Sequence, residues 1–307
     1  MANNIVVIGS SNVDFIMKME HLPKVGETVT DSIFMQVFGG KGANQAVGAA
    51  RAGGNVTFVS CVGDDKFADL MIENFKKDGI NTDRVFKEKD VATGAALIMI
   101  GLKGNNYISV APGANYRLGK SHIDLARSII EDASIILLQY EILPETLQYI
   151  IDVCHELKKK VVLNLAPARP IGYDYLKKLS ILVLNETEAE FLTGKNVSAS
   201  GEIEAAATFL LKKGIETVII TLGEEGSYIA TQEYRDRINA FRVTAVDTTA
   251  AGDVYCGSLC VALVEGKTLA DAVRFAGAAA AISVTRLGAQ PSAPTRQEIE
   301  LFLVSEQ

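Results

Sequence analysis

Residues 135–165 read IILLQYEILPETLQYIIDVCHELKKKVVLNL. Ile135 to Leu138 is a short, unbroken apolar run, Val161 to Leu165 is apolar but for Asn164, and the segment between them, Pro144 to Lys158, has helical period. A strand with one wet face alternates apolar and polar residues, whereas a continuous run is buried on both faces. A helix between two such strands is the crossover that a parallel pair needs. The pattern recurs. Ile5 to Ile8, Val56 to Val62, Ile181 to Leu184 and Val218 to Leu222 read as buried strands, with helical segments at Asp69 to Lys77 and Glu202 to Lys213. The expected class is α/β, a mainly parallel central sheet with helices on both faces.

Two stretches depart from this pattern. Val13 to Phe38 and Thr93 to Val110 carry strand-like residues with Gly and Pro punctuation and no intervening helix (TGAALIMI, LKGNN, YISVAPG). They read as a small β appendage inserted into the larger domain, either an extra antiparallel edge or a lid over a site. No repeat, low-complexity tract or flexible linker divides the chain, so residues 1–307 are expected to form a single large domain carrying these inserts.

Composition narrows the partners. Thirty Lys and Arg against 37 Asp and Glu give a net charge of -7, which offers nucleic acid no global attraction. Hydrophobic residues at 48% supply a sizeable core and argue against disorder. Cys61, Cys154, Cys256 and Cys260 form no CxxC pair and read as reduced core thiols. Residues 1–10, MANNIVVIGS, have no basic leader, and their apolar run is too short for a signal sequence or membrane span. A soluble, cytoplasmic protein is expected.

Val243 to Gly257, VTAVDTTAAGDVYCG, reads as a strand-like run, a small-residue turn, then Asp253 leading an apolar helix. Small residues at 250–252 let the backbone curl so that successive N–H groups converge on one point. A helix start of this kind favours an anion by roughly 0.3–1 kcal/mol when exposed, and by more when partly buried. From local sequence alone Asp253 is a helix N-cap. Against that, Asp247 and Thr249 add oxygens within the same turn, and a carboxylate beside an anion hole is where a base must sit to deprotonate a hydroxyl attacking a phosphate. Cys256 and Cys260 lie on the packing face of this helix and read as core.

Gly39 to Gln45, GGKGANQ, lacks the GxxxxGK[ST] spacing, so a Walker-type nucleotide site is not supported. Its glycines permit close approach of backbone to a ligand. Lys41 reads locally as a solvated charge, and Asn44 offers both donor and acceptor to a hydroxyl. The first strand ends IGSSNVD, placing Asn12 and Asp14 beyond its carboxyl end, where open α/β sheets bind ligands; without GxGxxG a nicotinamide enzyme is disfavoured. Glu141 follows another strand in the same way. NETE, Asn185 to Glu188, is either a helix start capped by Asn185 or a holder of hydrated Mg²⁺ and phosphates. TLGEEG, Thr221 to Gly226, either lies under a nucleotide or simply connects a hairpin.

In order and at similar separations, GSSNVD, LPKVGET, GGKGANQAVGAARAGG, PGAN (112–115), NETE, DTTAAGD and VTRLGAQPS resemble the ribokinase family of carbohydrate kinases over nearly the whole chain. The resemblance implies ATP-dependent phosphorylation of the primary hydroxyl of ribose, with deoxyribose, fructose or a nucleoside as alternatives and a non-catalytic sugar sensor as a different class. It implies that Asn12, Asp14, Gly40, Lys41, Gly42, Ala43, Asn44 and Glu141 hold the sugar. Asp253 is then the base, with Ala250, Ala251 and Gly252 as the anion hole. ATP falls to Asn185, Thr221, Leu222, Gly223, Glu224, Glu225, Gly226, Gly252 and Gly277, and Glu188 places Mg²⁺ through water. Asp247, Thr249, Ser283, Arg286, Gly288 and Ser292 match a monovalent-cation site, normally K⁺. The two inserts match a lid, through which a homodimer is implied. Gly277 and the Val254–Tyr255–Cys256 run depart from common family residues and leave nucleotide preference less defined than the chemistry.

Overall fold

The computed structural model describes residues 3–103, 105–197 and 200–306; Met1 and Ala2 of the leader reading and Gly104 of the LKGNN turn lie outside them. Strands β1 (Asn4–Ile8), β2 (Asn12–Met19), β3 (Ile33–Gly39), β4 (Asn55–Gly63), β5 (Asn81–Glu88), β6 (Gly94–Gly101) and β7 (Asn106–Ala111) occupy the first third of the chain. They are followed by β8 (Ile135–Leu138), β9 (Lys160–Asn164), β10 (Ile181–Asn185), β11 (Thr217–Thr221), β12 (Ser227–Ala230) and β13 (Arg235–Ile238). The strands form a nine-stranded sheet ordered β13-β12-β11-β10-β9-β8-β1-β4-β5 and a separate four-stranded sheet ordered β3-β2-β6-β7.

In the stretch quoted first, β8 and β9 pair in parallel, from Ile135 opposite Lys160 to Leu138 opposite Leu163. The helix between them spans Pro144–Glu156. It begins on a proline, whose missing N–H costs nothing in a first turn. The strands from β11 to β5 in the sheet order are all parallel, and only β12 and β13 run antiparallel at one edge. Alternate residues of β1 supply both cores. Ile5 and Val7 belong to the core that includes the helices Lys41–Arg51 and Ala251–Val264; Val6 and Ile8 belong to the opposite core, which includes the helices Arg127–Asp132 and Pro144–Glu156. Each such fully buried side chain is worth about 1.5–3 kcal/mol, which is why continuous apolar runs specify a two-sided sheet.

Strand order reverses at β1, which has β4 on one side and β8 on the other. Loops leaving the carboxyl ends of β1 and β8 diverge there and open a crevice. Helices Lys41–Arg51 and Ala251–Val264 run into it in close contact. A Cβ on Gly257 would lie 2.5 Å from the Gln45 carbonyl oxygen and 2.7 Å from the Ala49 nitrogen, and one on Gly48 would lie 3.1 Å from Val254 Cα. The two helix backbones meet because these positions have no side chain.

The two inserts do not extend the main sheet. β2 pairs antiparallel with β3 and in parallel with β6, which pairs antiparallel with β7, so they make a mixed sheet of their own. Ile33, Phe34, Leu97, Tyr107, Ile108 and Val110 of this small sheet are exposed. The strand-like run at Val243 is not a strand: Val246 and Asp247 donate to the Val284 carbonyl at 2.7 and 3.1 Å, so these amides are tied to a helix end and not to a neighbouring strand. Polar β13, RDRI, was not legible from hydrophobic pattern.

Candidate active site

The helix carrying Asp253 starts at Ala251, and its cap is Ala250 in the left-handed conformation (φ 60°, ψ 10°). Asp253 is therefore the third helical residue and not the N-cap that local sequence favours. An alanine in this conformation is strained by about 1–2 kcal/mol, a cost repaid where the turn itself is needed. Ala251 N–H donates to the Thr248 carbonyl at 3.3 Å and Val254 N–H to the Ala250 carbonyl at 2.9 Å. The Gly252 and Asp253 N–H groups have no acceptor among the described residues. Of the expected amides, Ala250 to Gly252, only Ala251 is already engaged; Ala250 and Gly252, and with them Asp253, have no acceptor among the described residues and are the donors left for an anion.

Asp253 is buried, and two amides hold it. Asn44 Nδ2 donates to Oδ2 and Gln45 Nε2 to Oδ1, each at 3.0 Å. Burial pushes its carboxyl above the ordinary range, while Lys41 and the two amides pull it down. Lys41, the first residue of its helix, is not a solvated charge: Asp253 foremost, with Glu141 and Glu188, raises its ammonium against the effect of burial. Asn44 Oδ1 is buried with no partner among the described residues, an open acceptor on the amide that holds Asp253.

Gly40 has φ 87°, and a Cβ there would lie 2.7 Å from the Asn12 nitrogen; one on Gly42 would lie 2.5 Å from the Ser10 nitrogen. The glycine loop thus rests on the backbone that leaves β1. Gly42 N–H is taken by Ser10 Oγ (3.3 Å) and Ala43 N–H by the Ser10 carbonyl (2.9 Å), so both amides already have protein partners. Glu141 Oε2 accepts from Ser10 Oγ at 2.6 Å and from Lys41 N–H at 2.9 Å. Asn12 Oδ1 accepts from Asn115 Nδ2 at 2.7 Å. Asp14 lies against Gly39, and burial, with Glu141 adding, pushes its carboxyl up to about 6.

Beyond the Ala251 helix start lies a cavity of about 870 Å³, lined by Thr221, the 223–226 turn, Gly252 and Gly277. The turn both connects the antiparallel β11–β12 hairpin and borders the cavity, so the two readings of TLGEEG hold together. Leu222 does not line it: its side chain is in the core and its N–H bonds the Gly226 carbonyl. Phe241 and Ala280, unremarked in the sequence, do line it, as does Val243. Asn185 caps the Glu186–Thr193 helix in a reciprocal box, Glu188 N–H to Asn185 Oδ1 and Asn185 N–H to Glu188 Oε2, each 2.8 Å. Glu188 is buried, which raises its carboxyl against the pull of the Asn185 amide and Lys41.

The cation-type residues come from two chain segments, 247–249 before the Ala251 helix and 283–292 at and beyond the end of the Leu269–Val284 helix. Asp247 Oδ1 accepts from Thr249 N–H and Oγ1 (2.9 and 2.6 Å), Oδ2 accepts from Gly288 N–H (2.9 Å), and Ser283 and Ser292 hydroxyls share a 2.8 Å bond. The Arg286 side chain pairs with Glu298 at 2.6 Å, leaving only its carbonyl for a cation. A separate group, Cys61, Glu88 and His122, gathers within 4.8 Å. There Gly119 N–H donates to His122 Nδ1 (3.2 Å), so Nε2 carries the proton and donates to Glu88 Oε1 (2.9 Å). With both ring nitrogens used and the thiol pushed up by burial, this is a hydrogen-bonded tie and not a ligand set.

A buried carboxylate next to open helix-start amides, with a nucleotide-sized cavity on one side and a polar crevice on the other, defines an enzyme of phosphoryl transfer to a hydroxyl. The chain belongs to the pfkB family of carbohydrate kinases, whose family profile matches residues 2–296. It is 40% identical over 303 residues to the ribokinase of Haemophilus influenzae, covering 99% of each chain. To the deoxyribokinase of Salmonella typhimurium it is 39% identical over 301 residues, 98% of each. Its structure matches that of Arabidopsis thaliana ribokinase complexed with ribose and ATP at a TM-score of 0.93, with 33% identity and 99% of each chain covered.

Proposed function

We propose that the protein transfers the γ-phosphoryl group of ATP to the primary hydroxyl of D-ribose, giving D-ribose 5-phosphate and ADP. The observation that carries this reading is Asp253, a buried carboxylate between the unpartnered Asn44 Oδ1 and the open amides of Gly252 and Asp253. Ribose lies in the crevice against Asn12, Asp14, Gly40, Lys41, Asn44 and Glu141. Asp253 accepts the proton of the attacking hydroxyl, and its raised pKa makes it a better base than an ordinary carboxylate near neutral pH. Such a base contributes about 10²–10⁴ in rate. The open amides meet negative charge as it develops on the transferring group. Lys41 neutralises the same region.

ATP lies in the cavity along Thr221, Gly223 to Gly226 and Gly277, its phosphates toward Gly252. With Glu188 Oε2 taken by the Asn185 amide, Oε1 is the oxygen left to hold Mg²⁺ through water, and the bound ion would supply charge neutralisation at the phosphates. The hard-oxygen character of Asp247, Thr249, Ser283, Gly288, Ser292 and the Arg286 carbonyl fits K⁺, which when bound would add positive field beside the helix start. The chain reads as one domain whose small sheet is a lid. The exposed apolar side chains of that sheet support a homodimer formed through it. Among the described residues no helix is long and apolar enough to cross a membrane, which is compatible with a cytoplasmic enzyme.

The test is a coupled ADP-release assay with ribose, 2-deoxyribose, fructose and nucleosides, each with and without K⁺. Ribose should give the highest kcat/KM; no stimulation by any of them would end the reading. The 39% identity to a deoxyribokinase supports 2-deoxyribose as the second substrate, and a higher kcat/KM for it would replace ribose.

A further inference from the structure

The amides around Asp253 form a chain with a defined direction. Gln45 Nε2 donates to both Asp253 Oδ1 and Asn164 Oδ1 at 3.0 Å, and Gln45 Oε1 accepts from Gln139 Nε2 at 2.6 Å. Gln45 and Gln139 are 0% exposed. Because Gln139 donates to Oε1, the Gln45 amide cannot flip without placing its oxygen against the Asp253 carboxylate. Asn164 stands at the carboxyl end of β9 and Gln139 just past that of β8, so two sheet strands brace one helical side chain. Three amides and a carboxylate buried together are costly unless mutually satisfied; here every contact to Asp253 is donated, and of the three amides only Gln139 Oε1 is left without a partner among the described residues.

We propose that Gln45 is a positioning residue for Asp253, with Gln139 and Asn164 locking its amide so that Oδ1 is always held and Oδ2 is aimed at the substrate hydroxyl. This rests on the reading of Asp253 as the base. Lys41, Glu141, Glu188 and Cys256 are the other ionisable groups around the carboxylate, and of these only Lys41 favours its charged form. Removing the Gln45 donor therefore makes Asp253 retain its proton to higher pH, and turnover that needs the carboxylate is lost from the acid side.

Gln45→Met, close in size without donors, and Gln139→Met, which leaves the Gln45–Asp253 contact but frees the amide, would be compared with wild type and Asp253→Asn. The readouts are kcat and ribose KM between pH 5 and 9, with circular dichroism to check folding. In Gln45→Met the acid limb of kcat should move up by about one to two pH units, the worth of a hydrogen bond to a charged group. kcat should fall on the acid side and recover at high pH, with ribose KM within about threefold. Gln139→Met should shift in the same direction by less, and it carries the test if Gln45→Met does not fold. An unmoved limb, whether kcat is unchanged or lowered equally at every pH, overturns the proposal while a dead Asp253→Asn leaves the base reading standing. Near-normal turnover by Asp253→Asn overturns the base reading itself.

Discussion

Asp14→Asn should make this protein more stable and a poorer sugar binder at the same time. Asp14 sits on β2 between Val37 of β3 and Ala96 of β6, and its carboxyl rises from an ordinary 3.8 to about 6 because burial, and then Glu141, disfavour the charged form. Between those values the folded chain binds more protons than the unfolded one, so stability falls as pH rises through the window and the whole penalty is present above about pH 6. At about 1.4 kcal/mol per pH unit the penalty is about 3 kcal/mol, an upper figure since asparagine must also find partners for its amide. Asparagine has the same shape and no charge. The variant should therefore gain about 2–3 kcal/mol at pH 8, with the gain vanishing near pH 4. Urea unfolding followed by circular dichroism measures it, because the chain has no tryptophan. Ribose affinity should fall at least about tenfold with loss of the charged acceptor. A variant no more stable at pH 8, or a gain that persists unchanged at pH 4, would refute the electrostatic reasoning.

Asp253→Asn should lower kcat by about 10²–10⁴ and leave ribose KM within a few-fold, read from initial rates. Gly257→Ala drives a methyl into the backbone of the facing helix and should cost about 1–3 kcal/mol in thermal unfolding; kcat falls with it because the same contact sets Asp253 against Asn44 and Gln45. An unchanged Tm would mean the helices separate freely. Replacing K⁺ by a bulky organic cation should lower kcat, and Asp247→Ala should abolish the response to K⁺; a wild-type response in that variant removes Asp247 from the cation site.

Most of the frame was legible because its signals are local. Continuous apolar runs separated by helical period give buried parallel strands, and the Val13-to-Phe38 and Thr93-to-Val110 stretches, strand-like with Gly and Pro punctuation and no helix, announced the small sheet of β2, β3, β6 and β7. Short polar strands such as β13 were hidden, since edge strands need little hydrophobicity. At the site, local sequence made Asp253 a cap, whereas the left-handed turn belongs to Ala250, a residue with no strong preference for it. Likewise TLGEEG gave no hint that Leu222 faces the core while its neighbours line the cavity.

Residue types, periodicity and ordered motifs were determined by the sequence alone: a two-sided parallel sheet, a carboxylate at a helix start, and candidate donors at strand ends. Only tertiary structure decided which of these groups meet. Asn44 and Asp253 are 209 positions apart and touch because Gly48 and Gly257 let two helix backbones close on each other. Gln45, one residue from a motif position that drew attention, reaches Asp253, Asn164 and Gln139 only because the strand order reverses at β1 and brings those chain segments to one crevice. A hydrogen bond requires atoms about 3 Å apart, and no local property of the chain encodes that distance across two hundred residues.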